Sequence, residues 1–232
     1  MKRITIIMTT IISLMLLHIP SALADPIDWS DPHYDFKKVT TALVYDLDIE
    51  ESRLHNGVLA KRVSAAYEKD TSKLKLNIMP LKKINDKISL KHNFDMDELY
   101  LTDPDEATKI FKDEAGEYID VYITATMEKC HEYINHYPAY TSWETESRWH
   151  TWHDRNGNSH TDRYYVTVPR FHPAHDETAI MVKMHYQVYD SKSHQLVYER
   201  EDVRERETDD PQGMLNRSFE SFVNAFNKLI KK

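Results

Sequence analysis

Two stretches of strict alternation constrain this chain most. Ile119, Val121, Ile123, Ala125 and Met127 fall on one side of a strand, because successive side chains point to opposite faces. Ile180, Val182, Met184, Tyr186 and Val188 repeat the pattern. Each strand then carries one apolar face that needs a second layer. The carboxy-terminal segment supplies it. Leu215, Phe219, Phe222, Phe226 and Leu229 step by four and three, which makes one buried helical stripe. Asp210 is placed to cap that helix, and Pro211 suits its first turn.

The other elements follow from local signals. Val39 to Ile49 reads as a buried strand ending in an acidic loop of Asp46, Asp48, Glu50 and Glu51. Asn56 to Tyr67 has helical spacing, with Asn56 as cap. Leu74 to Met79 alternates and stops at Pro80. A helical region covers Leu81 to Leu99. Asp103, Pro104 and Glu106 mark the next helix start as a capping box, and Gly116 its end. Gln195 to Val203 pairs back on the second alternating strand through "DSKSH". The expected fold class is α+β: a mixed β-sheet with helices packed on one face, in the order βαβααβ, ribbon, ββα. A long protruding β-hairpin is added to it.

The first residues carry an address. Lys2 and Arg3 precede an apolar run from Ile4 to Leu17, and Ser21-Ala22-Leu23-Ala24 offers small residues to a signal peptidase. Residues 1–24 read as a secretory signal peptide, 25–38 as an extended arm, and 39–232 as one domain with a ribbon insertion at about 128–175. The expected location is the periplasm or cell surface, with no membrane span after cleavage. Cys130 is the one cysteine, so no intramolecular disulfide can form and the core must hold the fold. The formal charge of −8 becomes more acidic once Lys2 and Arg3 leave. That excludes nucleic acid as the expected partner, since phosphate binding needs a cationic face.

Several quotable segments carry a family resemblance. "TTALVYDLDI", "AGEYIDVYITATM" and "MVKMHYQVYDSKSHQLVYERE", with the Phe-rich closing helix, resemble an exported envelope-protein domain. That group includes the TolB amino-terminal domain, the lipoprotein activators of penicillin-binding proteins and the curli-secretion lipoprotein. The resemblance runs loosely from Val39 to Ile230 and implies a domain that binds partner proteins and catalyses nothing. There are departures. Thr126 or Met127 stands near the family's usual Gly, His194 replaces the turn Gly, and the lipid-bearing Cys is absent. "HDRNGN" and "VPRFHP" are also similar to hairpins of a group of exported bacterial proteins, from which no function carries over.

The ribbon holds the chemistry-bearing residues. "HEYINH" mimics a zinc-protease motif, but His131 and His136 are five apart, not four. On a helix that separates them by about 140°, and on a strand it sends them to opposite faces. No catalytic residue is expected. "WHTWHDRNGNSHTDRYY" (149–165) supports two readings. If Asn156-Gly157 forms a two-residue type I′ turn, His153 lies opposite His160, with Asp162 diagonal to them. Cα atoms in such a pair stand about 5.5 Å apart. His153, His160 and Asp162 would then suit Zn²⁺, and no other cofactor is expected. The second reading makes Trp149, Trp152, Tyr164 and Tyr165 a contact surface for an envelope protein partner. It leads to a non-catalytic binding or assembly module, with a divalent-metal-binding exported protein as the alternative. Oligomeric state is not legible.

Overall fold

The computed structural model describes residues 26–50, 57–208 and 210–231. The expected signal peptide lies outside the described residues, as do Glu51 of the acidic loop and the proposed cap Asn56. In chain order the elements are β1 (Ile27–Ser30), β2 (Thr41–Val44), β3 (Asp48–Ile49), α1 (Val58–Thr71), β4 (Asn77–Ile78), α2 (Leu81–His92), α3 (Met96–Thr102) and α4 (Pro104–Ala115). There follow β5 (Val121–Tyr137), β6 (Tyr140–His153), β7 (Ser159–His172), β8 (His175–Asp190), β9 (Leu196–Glu207) and α5 (Pro211–Lys231). They fall into two compact units. One comprises the described residues up to His131 and from Ile180 onward, the other Glu132–Ala179.

The first unit is a mixed sheet with helices. Its strand order is β1-β9-β8-β5-β2-β4, with β3 paired to β5. β2 runs parallel to both β4 and β5, while β1 runs antiparallel to β9. The alternating strands bury the faces expected of them, except that Ile119, which precedes β5, packs in the second cluster and not with Val121. Val121, Ile123, Ala125 and Met127 meet Ile180, Val182, Met184, Tyr186 and Val188 in one core with α1 and α5. The Phe stripe of α5 closes it. Phe222 stacks on Tyr186 at 4.4 Å, and Phe219 meets Tyr67 of α1 edge-on at 5.5 Å. Burying each such ring contributes roughly 1.5–3 kcal/mol.

The helices occupy both faces, not the single face expected. Leu43, Ile84, Ile88, Met96, Ala107, Phe111 and Ile119 form a second cluster, against which Tyr45 and Tyr122 pack. Leu43 follows Ala42, and Tyr122 lies between Val121 and Ile123. Alternation therefore puts this cluster on the opposite side from the first. The reason is that β2 is apolar on both faces, so one helical layer cannot cover it.

Most local signals act where they were read, with differences: the strand read over Leu74 to Met79 is only β4, and the one over Val39 to Ile49 is split into β2 and β3. Asp103 accepts the Glu106 N–H at 3.1 Å, and Asp210 accepts the Gly213 N–H at 2.9 Å, so both caps form. The helical region after Leu81 is two helices. Asn93, at φ 58°, ends α2, and Asp95 caps α3 by accepting the Asp97 N–H at 2.8 Å. Gly116 is not left-handed, with φ −63°. Its hydrogen matters because a Cβ there would stand 2.8 Å from Lys192 Cγ and 3.2 Å from the Ser191 carbonyl. The expected amino-terminal arm is partly a strand. β1 pairs with β9, and Asp28 grips buried Arg200 in a bidentate ion pair at 2.7 and 2.8 Å.

The second unit contains the two-stranded sheet of β6 and β7. Both strands begin or end at a Pro-Ala step, Pro138-Ala139 and Pro173-Ala174. Stacked Tyr–His pairs flank these steps. Tyr137 lies on His175 at 5.1 Å, and Tyr140 on His172 at 4.4 Å.

Candidate functional site

The β6–β7 turn decides which side chains of the ribbon stand together. The Gly157 N–H donates to the Asp154 carbonyl at 3.0 Å, and the Asp154 N–H donates to the Asn158 carbonyl at 2.9 Å. Three residues, not two, form the loop. A type I′ turn needs positive φ at both Asn156 and Gly157. Gly157 has φ +81°, and Asn156 does not share it. The arrangement is a type I turn closed by a left-handed glycine. The Asp154 carboxylate holds it by accepting the N–H groups of Asn156 and Asn158, at 2.9 and 2.8 Å, and the Asn158 side-chain amide at 3.0 Å. These donors, those of Asn158 foremost, together with His160 lower the Asp154 pKa to about 2.

One extra loop residue shifts the register by one, and every side chain of one strand changes face. His153 pairs with Ser159, Trp152 with His160, Thr151 with Thr161, His150 with Asp162, and Trp149 with Arg163. The expected metal trio is therefore separated. His160 and Asp162 share a face, and His153 lies on the other. Both remaining groups have partners. The Trp152 indole N–H donates to Asp162 at 2.6 Å, and His160 stacks on Trp152 at 4.5 Å with Nε2 3.3 Å from Asp154. Among the described residues, no three His, Cys, Asp or Glu side chains converge to hold a metal ion. The "HEYINH" segment is strand, within β5, where an odd separation sends His131 and His136 to opposite faces.

The four expected contact residues also divide, two to a face. Trp152 and Tyr164 stand with His150, Glu144, Glu146, Arg148, Asp162 and Arg170. Trp149 and Tyr165 stand on the opposite face, where Arg163 lies between them, 5.7 Å from the indole and 5.2 Å from the phenol ring. Such cation–π contacts contribute about 0.5–1 kcal/mol at exposed sites. The observed register joins two further aromatic residues to this face. Trp143 and Phe171 share the face of Trp149 and Tyr165, and the four are 63–70% exposed. Threonines and serines fill the positions between them, and Thr151 meets Thr161 at 3.1 Å. Carried further along both strands, alternation from a known register would have found Trp143 and Phe171.

This face has a simple chemical character. It carries no carboxylate and one guanidinium, in a chain of formal charge −8. From Trp143 to Trp149 it runs about 20 Å, at 3.4 Å per residue. Flat rings separated by hydroxyls can cover an apolar surface without losing solubility.

The first unit carries two other features of note. A cleft of about 1200 Å³ is lined by Tyr45, Asp46, Asp48, Lys61, Ser64 and Glu68, among others. Among the described residues the buried Tyr67 hydroxyl in its wall has no hydrogen-bond partner, and burial, then Asp46, pushes its pKa up. Asp46 and Asp48 of the acidic loop thus border a cleft. Second, Ser218 donates to Asp202 at 3.0 Å and meets the Tyr186 hydroxyl at 2.8 Å. All three side chains are buried, so no substrate reaches that serine.

No protein-family model matches the chain, and no curated protein matches it. Among solved structures it is similar to two PelC dodecamers from Paraburkholderia phytofirmans. Their TM-scores are 0.40 and 0.38 and their identities 9% and 8%; they cover 90% and 89% of this chain, and 99% and 96% of those chains. It is also similar to lipoprotein GNA1162 from Neisseria meningitidis, at TM-score 0.31 and 10% identity over 82% of this chain and 99% of that one. A PDZ domain protein from Parabacteroides distasonis gives TM-score 0.32 and 12% identity over 87% of this chain and 34% of that one. These likenesses are distant, and no function passes from them to this chain. Among the described residues no helix is long and apolar enough to cross a membrane.

Proposed function

We propose that this chain is a non-catalytic, exported binding module of the cell envelope, and that it holds a protein partner against one face of the β6–β7 ribbon. The observation that supports this is the acid-free face of Trp143, Trp149, Tyr165 and Phe171, each more than three-fifths exposed. Exposed aromatic patches of this kind mark contact surfaces, and tryptophan, tyrosine and arginine dominate the energy of such contacts. The signal-peptide pattern of residues 1–24 supports export as part of this reading.

The test compares the two faces. Trp149→Ala with Tyr165→Ala removes the acid-free face, and Trp152→Ala with Tyr164→Ala removes the other. Envelope cross-linking in cells should lose its adduct with the first pair and keep it with the second. An adduct untouched by the first pair would sink the reading. Each lost anchor is expected to cost about 2 kcal/mol of affinity.

A further inference from the structure

The ribbon also has two edges, and they are not alike. Asp154 and Asn158 are joined by a backbone hydrogen bond, so alternation makes the even-numbered residues of β6 the hydrogen-bonded partners of β7. The odd-numbered residues, Thr141 to His153, turn their N–H and C=O groups outward. On β7 the outward row is broken by Pro169, opposite Trp143, which has no N–H to offer. On β6 the row is unbroken. Its fourteen residues include no proline and no lysine, the usual means of blocking an exposed edge. Among the described residues β6 pairs with β7 alone.

The side chains of β6 then specify what fits this edge. The even-numbered positions read Glu144, Glu146, Arg148, His150, two acids followed by two bases. Ser147 is the midpoint. A second β6 laid antiparallel and centred on Ser147 would place Glu146 opposite Arg148 and Glu144 opposite His150, twice over. Trp143 would face Thr151, and Thr145 would face Trp149. Odd residues meet odd residues in this register, so the outward backbone groups of one strand meet those of the other. Moving the centre by one residue opposes Glu146 to itself or Arg148 to itself, and like charges directly opposite are destabilising.

We propose that β6 is the edge through which two copies of this chain pair, antiparallel and centred on Ser147. The result is a four-stranded antiparallel sheet made from two ribbons. The aromatic faces of both copies lie on the same side of it, doubling the acid-free surface. This uses the backbone edge, not the aromatic face, so it stands or falls separately from the proposed function.

Sedimentation of the mature chain tests it. The wild-type chain should sediment as a dimer at micromolar concentrations. Thr145→Pro removes an outward N–H that the β6–β7 ladder does not use, and should give a monomer with an unchanged far-UV spectrum. Glu146→Arg should weaken the dimer about tenfold or more, because two attractive pairs become repulsive. The double exchange Glu146→Arg, Arg148→Glu restores opposite charges across the axis and should restore the dimer. In a Cys130→Ala background, Ser147→Cys should cross-link two copies, since paired Cα atoms stand about 5.5 Å apart. Thr145→Cys should not. A monomeric wild type, a dimer indifferent to Thr145→Pro, or a double exchange as weak as the single one would overturn the pairing. A monomer that still captures its partner through Trp149 and Tyr165 would overturn the pairing and leave the proposed function standing.

Discussion

The Asp154 carboxylate stands 2.8 Å from the Asn158 N–H across the ribbon turn, and the same oxygen takes the Asn156 N–H at 2.9 Å. These bonds favour the ionised form, which is why its pKa falls from 3.8 to about 2. A depressed folded-state pKa means that the turn is stabilised fully above the ordinary aspartate value. The stabilisation is lost as pH falls from about 4 towards 2. Amide shifts of Asn156, Gly157 and Asn158, followed by NMR over that range, should titrate together. Asp154→Asn should abolish that titration.

Gly116→Ala should destabilise the first unit. An alanine at a helix end would otherwise be favoured by about 1 kcal/mol over glycine. Here its Cβ meets the Ser191 carbonyl at 3.2 Å and Lys192 Cα at 3.3 Å, and backbone yields less readily than a side chain. Overpacking of this kind costs about 1–3 kcal/mol, so the net sign is unfavourable. A lower urea midpoint at unchanged slope would show it.

Ser218→Ala should cost about 2 kcal/mol, because it orphans the buried Tyr186 hydroxyl and removes one donor from Asp202. Adding Tyr186→Phe removes the orphaned hydroxyl. The double variant should therefore be less destabilised than the sum of the two single changes. Additive costs would show that the hydroxyls do not act as a chain.

Asp28→Ala should cost about 3 kcal/mol, since Arg200 is buried and loses its bidentate partner. Tyr198, whose hydroxyl also donates to Asp28 at 3.0 Å, loses a partner too. Because β1 is exposed along its length, the loss should appear first there, as faster hydrogen exchange at Ile27 to Ser30.

How much of this was legible follows from the physics of each element. The alternation of β5 and β8 and the stripe of α5 were readable because one-sided burial writes a period into the sequence. The caps Asp103 and Asp210 were readable because they act through neighbouring residues. The division of the helices was not, since Leu43 and Tyr122 declare their face only once β2 is flanked on both sides. The turn was misread for a related reason. Asn156-Gly157 fits two turn types, and the Asp154 carboxylate, two residues earlier, selects between them. That single choice carried His153 away from His160 and Asp162. It also brought Tyr165 and Phe171 of β7 onto the face of Trp143 and Trp149.

The paired Pro-Ala steps have a consequence for how this chain can vary through descent. Both strands are interrupted at the same level, between Tyr137 and Tyr140 and between His172 and His175. Two residues gained or lost on each strand beyond the steps keep every remaining side chain on its own face. Length there is free to drift in increments of two per strand while the alternating core strands keep their register. Diversity among descendants of this gene should therefore concentrate in ribbon length and tip sequence, in even steps, with the Tyr–His brackets as its boundary.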